Sequence, residues 1–204
     1  GRLDGVVMVR FTDGEIQGWK DDAAVLKTRR GPTYTLSSWS AASDVDKRKI
    51  YGGAGDDVLT SSSGNDTLIG GSGDDTIFGG EGADVSVFNG PTAAYQFSVS
   101  FAGRLILSGT DGTDTLDRVE LLRFTDGDIQ VSKDETTGLY TLTGGTNTDT
   151  IRIDPTSVDA FTIYGGAGDD VLTSSFGNDT LMGGDGSDTF VGDGSDGTIY
   201  GGVS

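Results

Sequence analysis

Histidine and cysteine are both missing from the 204 residues, and proline occurs three times. Without histidine there is no HExxH zinc site, no Ser-His-Asp triad and no Cys-His pair within the chain. Without cysteine there are no disulfides and no thiolate metal sites, so if the chain works outside the cell, ions must do the stapling. The motifs GxSxG and GxxxxGK[ST] are absent as well, and no run of eighteen apolar residues offers a membrane span. Cations are scarce too: 14 Lys and Arg face 32 Asp and Glu, a net charge of −18. Phosphate backbones and anionic membrane surfaces repel such a chain, which argues against nucleic acid or a membrane as partner. Paired carboxylates can cleave glycosides, but that needs one carboxyl of raised pKa inside a cleft, whereas a cation held between acids in register would keep them ionised.

What is abundant is glycine, 35 of 204 residues. With so little proline, this fits turns with positive φ better than a proline-rich coil. Residues Gly52 to Asp84 divide into blocks of nine, GGAGDDVLT SSSGNDTLI GGSGDDTIF GGEGAD, with Asp57, Asp66, Asp75 and Asp84 each at the sixth place. The pattern returns from Gly165 to Val191 as GGAGDDVLT SSFGNDTLM GGDGSDTFV, with Asp170, Asp179 and Asp188 in that place. Glycines at places one, two and four let six residues wrap tightly, with backbone carbonyls near any ion. The next three residues carry an apolar side chain in the middle (Leu59, Leu68, Ile77, Leu172, Leu181, Phe190), which suits a very short strand with one buried side chain. A Gly- and Asp-rich linker has no reason to place an apolar residue at every eighth position of nine.

Turn and strand alternate, so two nonamers make one coil of a flattened solenoid and residues eighteen apart stack. Asp57 then lies over Asp75 on one edge and Asp66 over Asp84 on the other. Facing carboxylates repel unless a cation sits between them, and a cage of carboxylates and carbonyls is what Ca²⁺ prefers. Loading about six to eight Ca²⁺ adds roughly 12 to 16 positive charges and brings the chain near neutrality.

These blocks resemble the RTX family of secreted bacterial proteins, whose GGxGxDxUx repeat folds as a calcium-loaded parallel β-roll. The resemblance implies calcium half-sites at the turns ending in Asp57, Asp66, Asp75, Asp84, Asp170, Asp179 and Asp188. It adds the turn backbone at Gly53, Gly55, Gly71, Gly73, Gly166, Gly168, Gly184 and Gly186. Departures from the pattern mark weaker sites. Ser61 and Ser62 replace both leading glycines, as do Ser174 and Ser175; in GDGSDGTIY from Gly192 the acid comes one place early, at Asp196. Ser86 stands where an apolar residue belongs, which suggests that the first roll ends there.

A longer period overlies the short one. Leu3 to Gln17, LDGVVMVRFTDGEIQ, matches Leu116 to Gln130, LDRVELLRFTDGDIQ, at an offset of 113, and Gly52 to Gly165 has the same offset. The chain reads as an excised, monomeric piece of a larger tandem-repeat protein, without a signal segment. Four parts follow: 1–50, the end of a β spacer; 51–88, a first roll; 89–163, a second spacer; and 164–204, a truncated second roll. The fold class expected is all-β, with parallel rolls interleaved with small antiparallel modules.

Within the spacers, Leu3 to Gln17 reads as strand, turn, strand, and Tyr34 and Leu36 as a strand that recurs at Tyr140 and Leu142, with Trp19 and Trp39 covering the mouth of the fold. Tyr95, Phe97, Val99 and Phe101 alternate, and Leu105 and Leu107 follow after Ala102-Gly103: a hairpin with one buried face. Leu116, Val119 and Leu122, three apart, suggest one helical turn. Asp111, Asp114, Asp117, Asp126 and Asp128 are either turn residues or further calcium ligands. Lys47, Arg48 and Lys49 read as a charge-balancing edge, or else as a grip for an acidic partner.

The function expected is a non-enzymatic, calcium-binding module of a secreted or cell-surface protein. It folds on Ca²⁺ outside the cell, in keeping with the type I export that the resemblance implies. The alternatives are the stalk or adhesive region of a large adhesin, and the glycan-binding or secretion module of an exoenzyme, meeting glycan or host surface through the parent protein.

Overall fold

One buried apolar side chain between two half-exposed residues is enough for a strand of three residues, and these strands are the unit of the fold. A computed structural model describes residues 46–61, 63–192 and 197–203. The readings of Leu3 to Gln17, Trp19, Tyr34, Leu36, Trp39, Ser62 and Asp196 lie outside the described residues. In Val58–Thr60, Thr76–Phe78 and Val171–Thr173 the middle residue is buried and its neighbours are half-exposed, as period-two geometry demands.

Coils of eighteen stack these strands in parallel: Ile50 pairs with Leu68, Val58 with Thr76, Ile163 with Leu181 and Val171 with Thr189. The stacking makes an all-β solenoid. One wall is a nine-stranded sheet in the order Asp46–Ala54, Asn65–Ser72, Val85–Val87, Leu121–Arg123, Asp128–Lys133, Tyr140–Thr143, Phe161–Ala167, Thr180–Asp185 and Thr198–Val203. It therefore runs through both arrays and the segment between them. The opposite wall has two sheets. Val58–Thr60, Thr76–Phe78, Gly112–Asp117, Leu105–Gly109 and Gln96–Val99 form one; Thr150–Arg152, Val171–Thr173 and Thr189–Val191 form the other. A bridge from Phe97 to Ile153 links them, with Asp154 N–H donating to the Phe97 carbonyl at 2.8 Å. Between the walls runs the apolar core, Leu59, Leu68, Ile77, Leu116, Leu122, Leu142, Ile151, Ile163, Leu172 and Leu181 among others.

The segment between the arrays has antiparallel pairs among its own strands, while Gly112–Asp117, Leu121–Arg123, Tyr140–Thr143 and Thr150–Arg152 join their array neighbours in parallel. Phe97 pairs with Leu107 in a hairpin, Leu105 with Leu116, Leu122 with Ile129 and Val131 with Leu142. Phe101 departs from the expected alternation: it sits fully exposed at the hairpin tip, where a turn from Ser100 to Arg104 has already ended the pairing. The helical turn expected at Leu116–Leu122 is absent as well. Leu116 belongs to one wall and Leu122 to the other, and the chain crosses between them through Arg118 at φ 53°. All three apolar residues are buried because the crossing passes over the core. Ser86 is fully buried in register between Leu68 and Leu122, and the parallel ladder continues through it. Phe88, Tyr95 and Phe124 cluster beside it at centroid distances of 5.2 to 5.5 Å. Among the described residues no helix is long and apolar enough to cross a membrane.

Candidate metal centres

The turns between strands form the two edges of the solenoid, and the glycines shape them. Gly53, Gly55, Gly71, Gly73, Gly166, Gly168, Gly184 and Gly186 all have φ between 106° and 131°, a region closed to most side chains. A Cβ on Gly71 would fall on the Gly53 carbonyl, and one on Gly184 on the Gly166 carbonyl. Successive turns thus approach backbone to backbone, and carbonyl oxygens of one coil face the next.

The sixth-place acids form columns. Asp57 N–H donates to Asp75 Oδ1 at 2.8 Å, and Asp75 N–H to Asp114 Oδ1 at 2.9 Å. On the opposite edge Asp66 N–H donates to Asp84 Oδ1 and Asp84 N–H to Glu120 Oε2, both at 2.8 Å. In the second array Asp149 N–H donates to Asp170 Oδ1 at 2.8 Å and Asp170 N–H to Asp188 Oδ1 at 3.1 Å. Asp179 Oδ1 accepts from Phe161 N–H at 2.8 Å. One oxygen of Asp75, Asp84, Asp114, Glu120, Asp170, Asp179 and Asp188 therefore bonds the neighbouring coil.

The other oxygen decides the chemistry. Oδ2 of Asp57, Asp75, Asp84 and Asp170 is buried without a hydrogen-bond partner. Each lies in the hollow left by the missing Cβ of the first-place glycine: Gly52, Gly70, Gly79 and Gly165 respectively. A carbonyl of the next coil joins it under Gly52 (from Gly70), under Gly79 (from Arg118) and under Gly165 (from Gly183). Burying an anionic oxygen with no partner is unfavourable. Burial, and repulsion from neighbouring acids, accordingly raise Asp75 and Asp84 to about 6 and Asp114 to about 7, and push Asp57, Asp149 and Asp170 upward.

The serine turns differ. Ser61 Oγ donates to the Gly79 carbonyl. Ser175 donates to Asp179 Oδ2 through its N–H at 2.9 Å and its hydroxyl at 3.2 Å, so this carboxylate is satisfied within its own turn. Asp188 stands half-buried on the last complete turn.

Two glycine-led turns in the columns lack the eighteen-residue spacing. Gly144–Asp149, GGTNTD, precedes the next turn by 21 residues; Gly109–Asp114, GTDGTD, follows the previous one by 39. A search at fixed period passes over both, although Asp149 and Asp114 are 1% and 2% exposed. Their signal was local: an acid five residues after a leading glycine. The other acids of the inter-array segment are engaged elsewhere. Asp111 accepts from Tyr95 OH and Asn89 N–H, Asp126 from Thr92 and Asp128 from Arg123, while Arg104 lies 3.4 Å from Asp117.

The sequence model of the RTX calcium-binding nonapeptide repeat (4 copies) matches residues 51–85, 162–181 and 174–203. The chain carries RTX calcium-binding repeats. The matched stretches, well under half of the chain, contain every sixth-place acid expected from the nonamers but neither Asp114 nor Asp149. Among solved structures, the extracellular lipase LipA from Serratia marcescens is similar at 21% identity and a TM-score of 0.25. That likeness covers 76% of this chain and 29% of the lipase, so the chain spans less than a third of that protein's length. No curated protein matches.

Calcium fits the RTX turns. Among the described residues no group of three acidic side chains is placed to hold a metal; the oxygens that would hold an ion here are turn carbonyls together with one or two carboxylate oxygens from stacked turns. Ca²⁺ takes six to eight hard oxygen ligands in adaptable geometry, backbone carbonyls included. The lone Oδ2 atoms of Asp57, Asp75, Asp84 and Asp170 would supply the anionic part of that set.

Proposed function

We propose that this chain is a calcium-dependent folding module of a secreted or cell-surface protein, with no catalytic role of its own. The observation that carries the reading is the set of buried Oδ2 atoms on Asp57, Asp75, Asp84 and Asp170 that lack a hydrogen-bond partner. In the metal-free fold they are an electrostatic burden; with Ca²⁺ held by these oxygens and the facing glycine carbonyls, they become ligands. The chain binds Ca²⁺ in the folded state and not in the unfolded one, so binding free energy becomes folding free energy. Extracellular calcium modules bind in roughly the 10⁻⁴ to 10⁻³ M range. The chain accordingly stays unfolded where calcium is scarce, a state suited to export through a type I channel, and folds outside.

The test is circular dichroism with millimolar Ca²⁺ and with EDTA. The expected result is β structure in calcium and its loss in EDTA; equal β content in both rejects the proposal.

The uninterrupted nine-stranded wall and the 113-residue tandem period support a second reading, in which successive units form a calcium-stiffened stalk. Small-angle scattering distinguishes it: a stalk elongates only when calcium is present, and a chain equally extended in EDTA speaks against it.

A further inference from the structure

The first array ends at Asp84, yet two of its lone carboxylate oxygens belong to its last turns, Asp75 Oδ2 and Asp84 Oδ2. Under Gly52, Gly79 and Gly165 the Asp oxygen meets a carbonyl of the next coil, as Asp57 Oδ2 meets the Gly70 carbonyl under Gly52. For Asp75 and Asp84 the next coil is not a repeat; it is the segment from Gly109 to Glu120.

That segment reproduces the repeat frame. On one edge Gly73 N–H donates to the Asp111 carbonyl at 2.7 Å, as Gly55 N–H does to Ser72. Thr115 N–H donates to the Asp75 carbonyl at 2.8 Å, as Thr76 N–H does to Asp57. Thr113 N–H donates to Asp74 Oδ1 at 2.8 Å, where within the array Asp74 N–H donates to Asp56 Oδ1 at 2.9 Å. Gly112 has φ 135°, beside 127° at Gly73, and a Cβ on it would meet the Gly73 carbonyl. Asp114, 2% exposed, takes the sixth place. The turn is held from behind: the Tyr95 ring fills the space beside Gly109, and its hydroxyl donates to Asp111 Oδ2 at 2.8 Å. On the other edge Gly79 N–H donates to the Asp117 carbonyl at 3.0 Å, the Arg118 carbonyl enters the hollow that holds Asp84 Oδ2, and Glu120 Oε2 takes the sixth-place bond from Asp84 N–H.

We infer that the segment Gly109–Glu120, outside the repeats, supplies the closing halves of two calcium sites, one on each edge of the last coil of the first array. Asp114 and the turn carbonyls serve the site with Asp75; Glu120 and the Arg118 carbonyl serve the site with Asp84. Calcium then joins the array to the segment that follows it. The inference rests on the reading of the RTX turns as calcium sites.

The experiment is isothermal titration of the 204-residue chain with Ca²⁺, comparing the unaltered protein with Asp114→Asn, Glu120→Gln and, as control within the second array, Asp170→Asn. Asn and Gln keep an acceptor for the Asp75 and Asp84 N–H groups. Each variant is expected to bind one ion fewer, or one ion at least about tenfold more weakly, a 1.4 kcal/mol loss at that site. If Asp170→Asn loses an ion while Asp114→Asn and Glu120→Gln keep the full complement at full affinity, this inference is overturned and the calcium reading of the repeats stands. If Asp170→Asn also binds normally, the wider reading fails with it. Should the Asp114 or Glu120 variants not regain β structure in saturating calcium, tyrosine-excited Tb³⁺ emission decides. Emission from the unaltered chain is expected to drop in Tyr95→Phe at the same ion count; unchanged emission overturns the site beside Asp114.

Discussion

A single carboxylate oxygen separates two kinds of turn in this solenoid. For Asp75 and Asp170, Oδ2 has no hydrogen-bond partner; in the turns of Asp149 and Asp179 the second-place residue, Gly145 or Ser175, donates its N–H to Oδ2 and spends that oxygen. The glycines set the approach of the coils just as sharply. Gly71 has φ 115° and its absent Cβ would occupy the Gly53 carbonyl, so Gly71→Ala combines backbone strain with a clash. A loss of at least about 1 to 3 kcal/mol is expected from the strain alone, read as a lower thermal midpoint in saturating calcium; an unchanged midpoint contradicts the stacking. Ser86 predicts the opposite sign. Its hydroxyl is fully buried between Leu68 and Leu122 and finds no partner. Removing an unsatisfied buried hydroxyl relieves a penalty of about 1 kcal/mol or more, so Ser86→Ala is expected to raise the midpoint by a few degrees, with calcium stoichiometry unchanged. A lower midpoint overturns that account.

Each strand contributes little more than one buried side chain, so stability depends on repetition. Leu172 is fully buried in Val171–Thr173, between Ile151 and Phe190 in register. Leu172→Ala opens a gap that neighbouring coils, bonded on both edges, cannot easily close, and a loss of about 2 to 5 kcal/mol is expected in a urea titration with calcium present. A change below about 1 kcal/mol shows that the file of core residues can collapse around the gap. The elements also explain which expectations fail. Spacing of three at Leu116, Val119 and Leu122 imitates a helical turn, yet here the period arises because a strand in one wall, a crossing and a strand in the other wall each deliver one side chain to the same core. Phe101 alternates correctly with Val99 but lies beyond the last paired residue, so alternation alone does not bury it.

Across the whole molecule, net charge of −18 and stacked acids make the fold sensitive to protons and calcium in opposite directions. Asp75 and Asp84 near 6 and Asp114 near 7 lie above the ordinary carboxylate value of 3.8. Between about pH 4 and 7 the metal-free fold therefore holds protons that the unfolded chain has released. Its stability is fully present below that window and is lost as pH rises through it. Calcium requires the ionised form, so the loaded fold has the reverse dependence. In EDTA, β structure is expected to be greater at pH 5 than at pH 7.5; in millimolar calcium the unfolding midpoint is expected to be higher at pH 7.5. Matching pH profiles with and without calcium reject the coupling.

The nonamer phase by itself determined the coil length, the parallel register, the inward column of apolar residues and the stacking of Asp57 on Asp75 and Asp66 on Asp84, because all of these follow from local spacing. Tertiary structure decided what happens where the spacing breaks. Gly144–Asp149 and Gly109–Asp114 join the columns after offsets of 21 and 39 residues, and the nine-stranded wall passes through the segment between the arrays. An inserted loop or hairpin shifts the count along the chain without shifting the place where the next strand docks. Backbone pairing at a sheet edge depends on position in space, which periodicity cannot report once the period is interrupted.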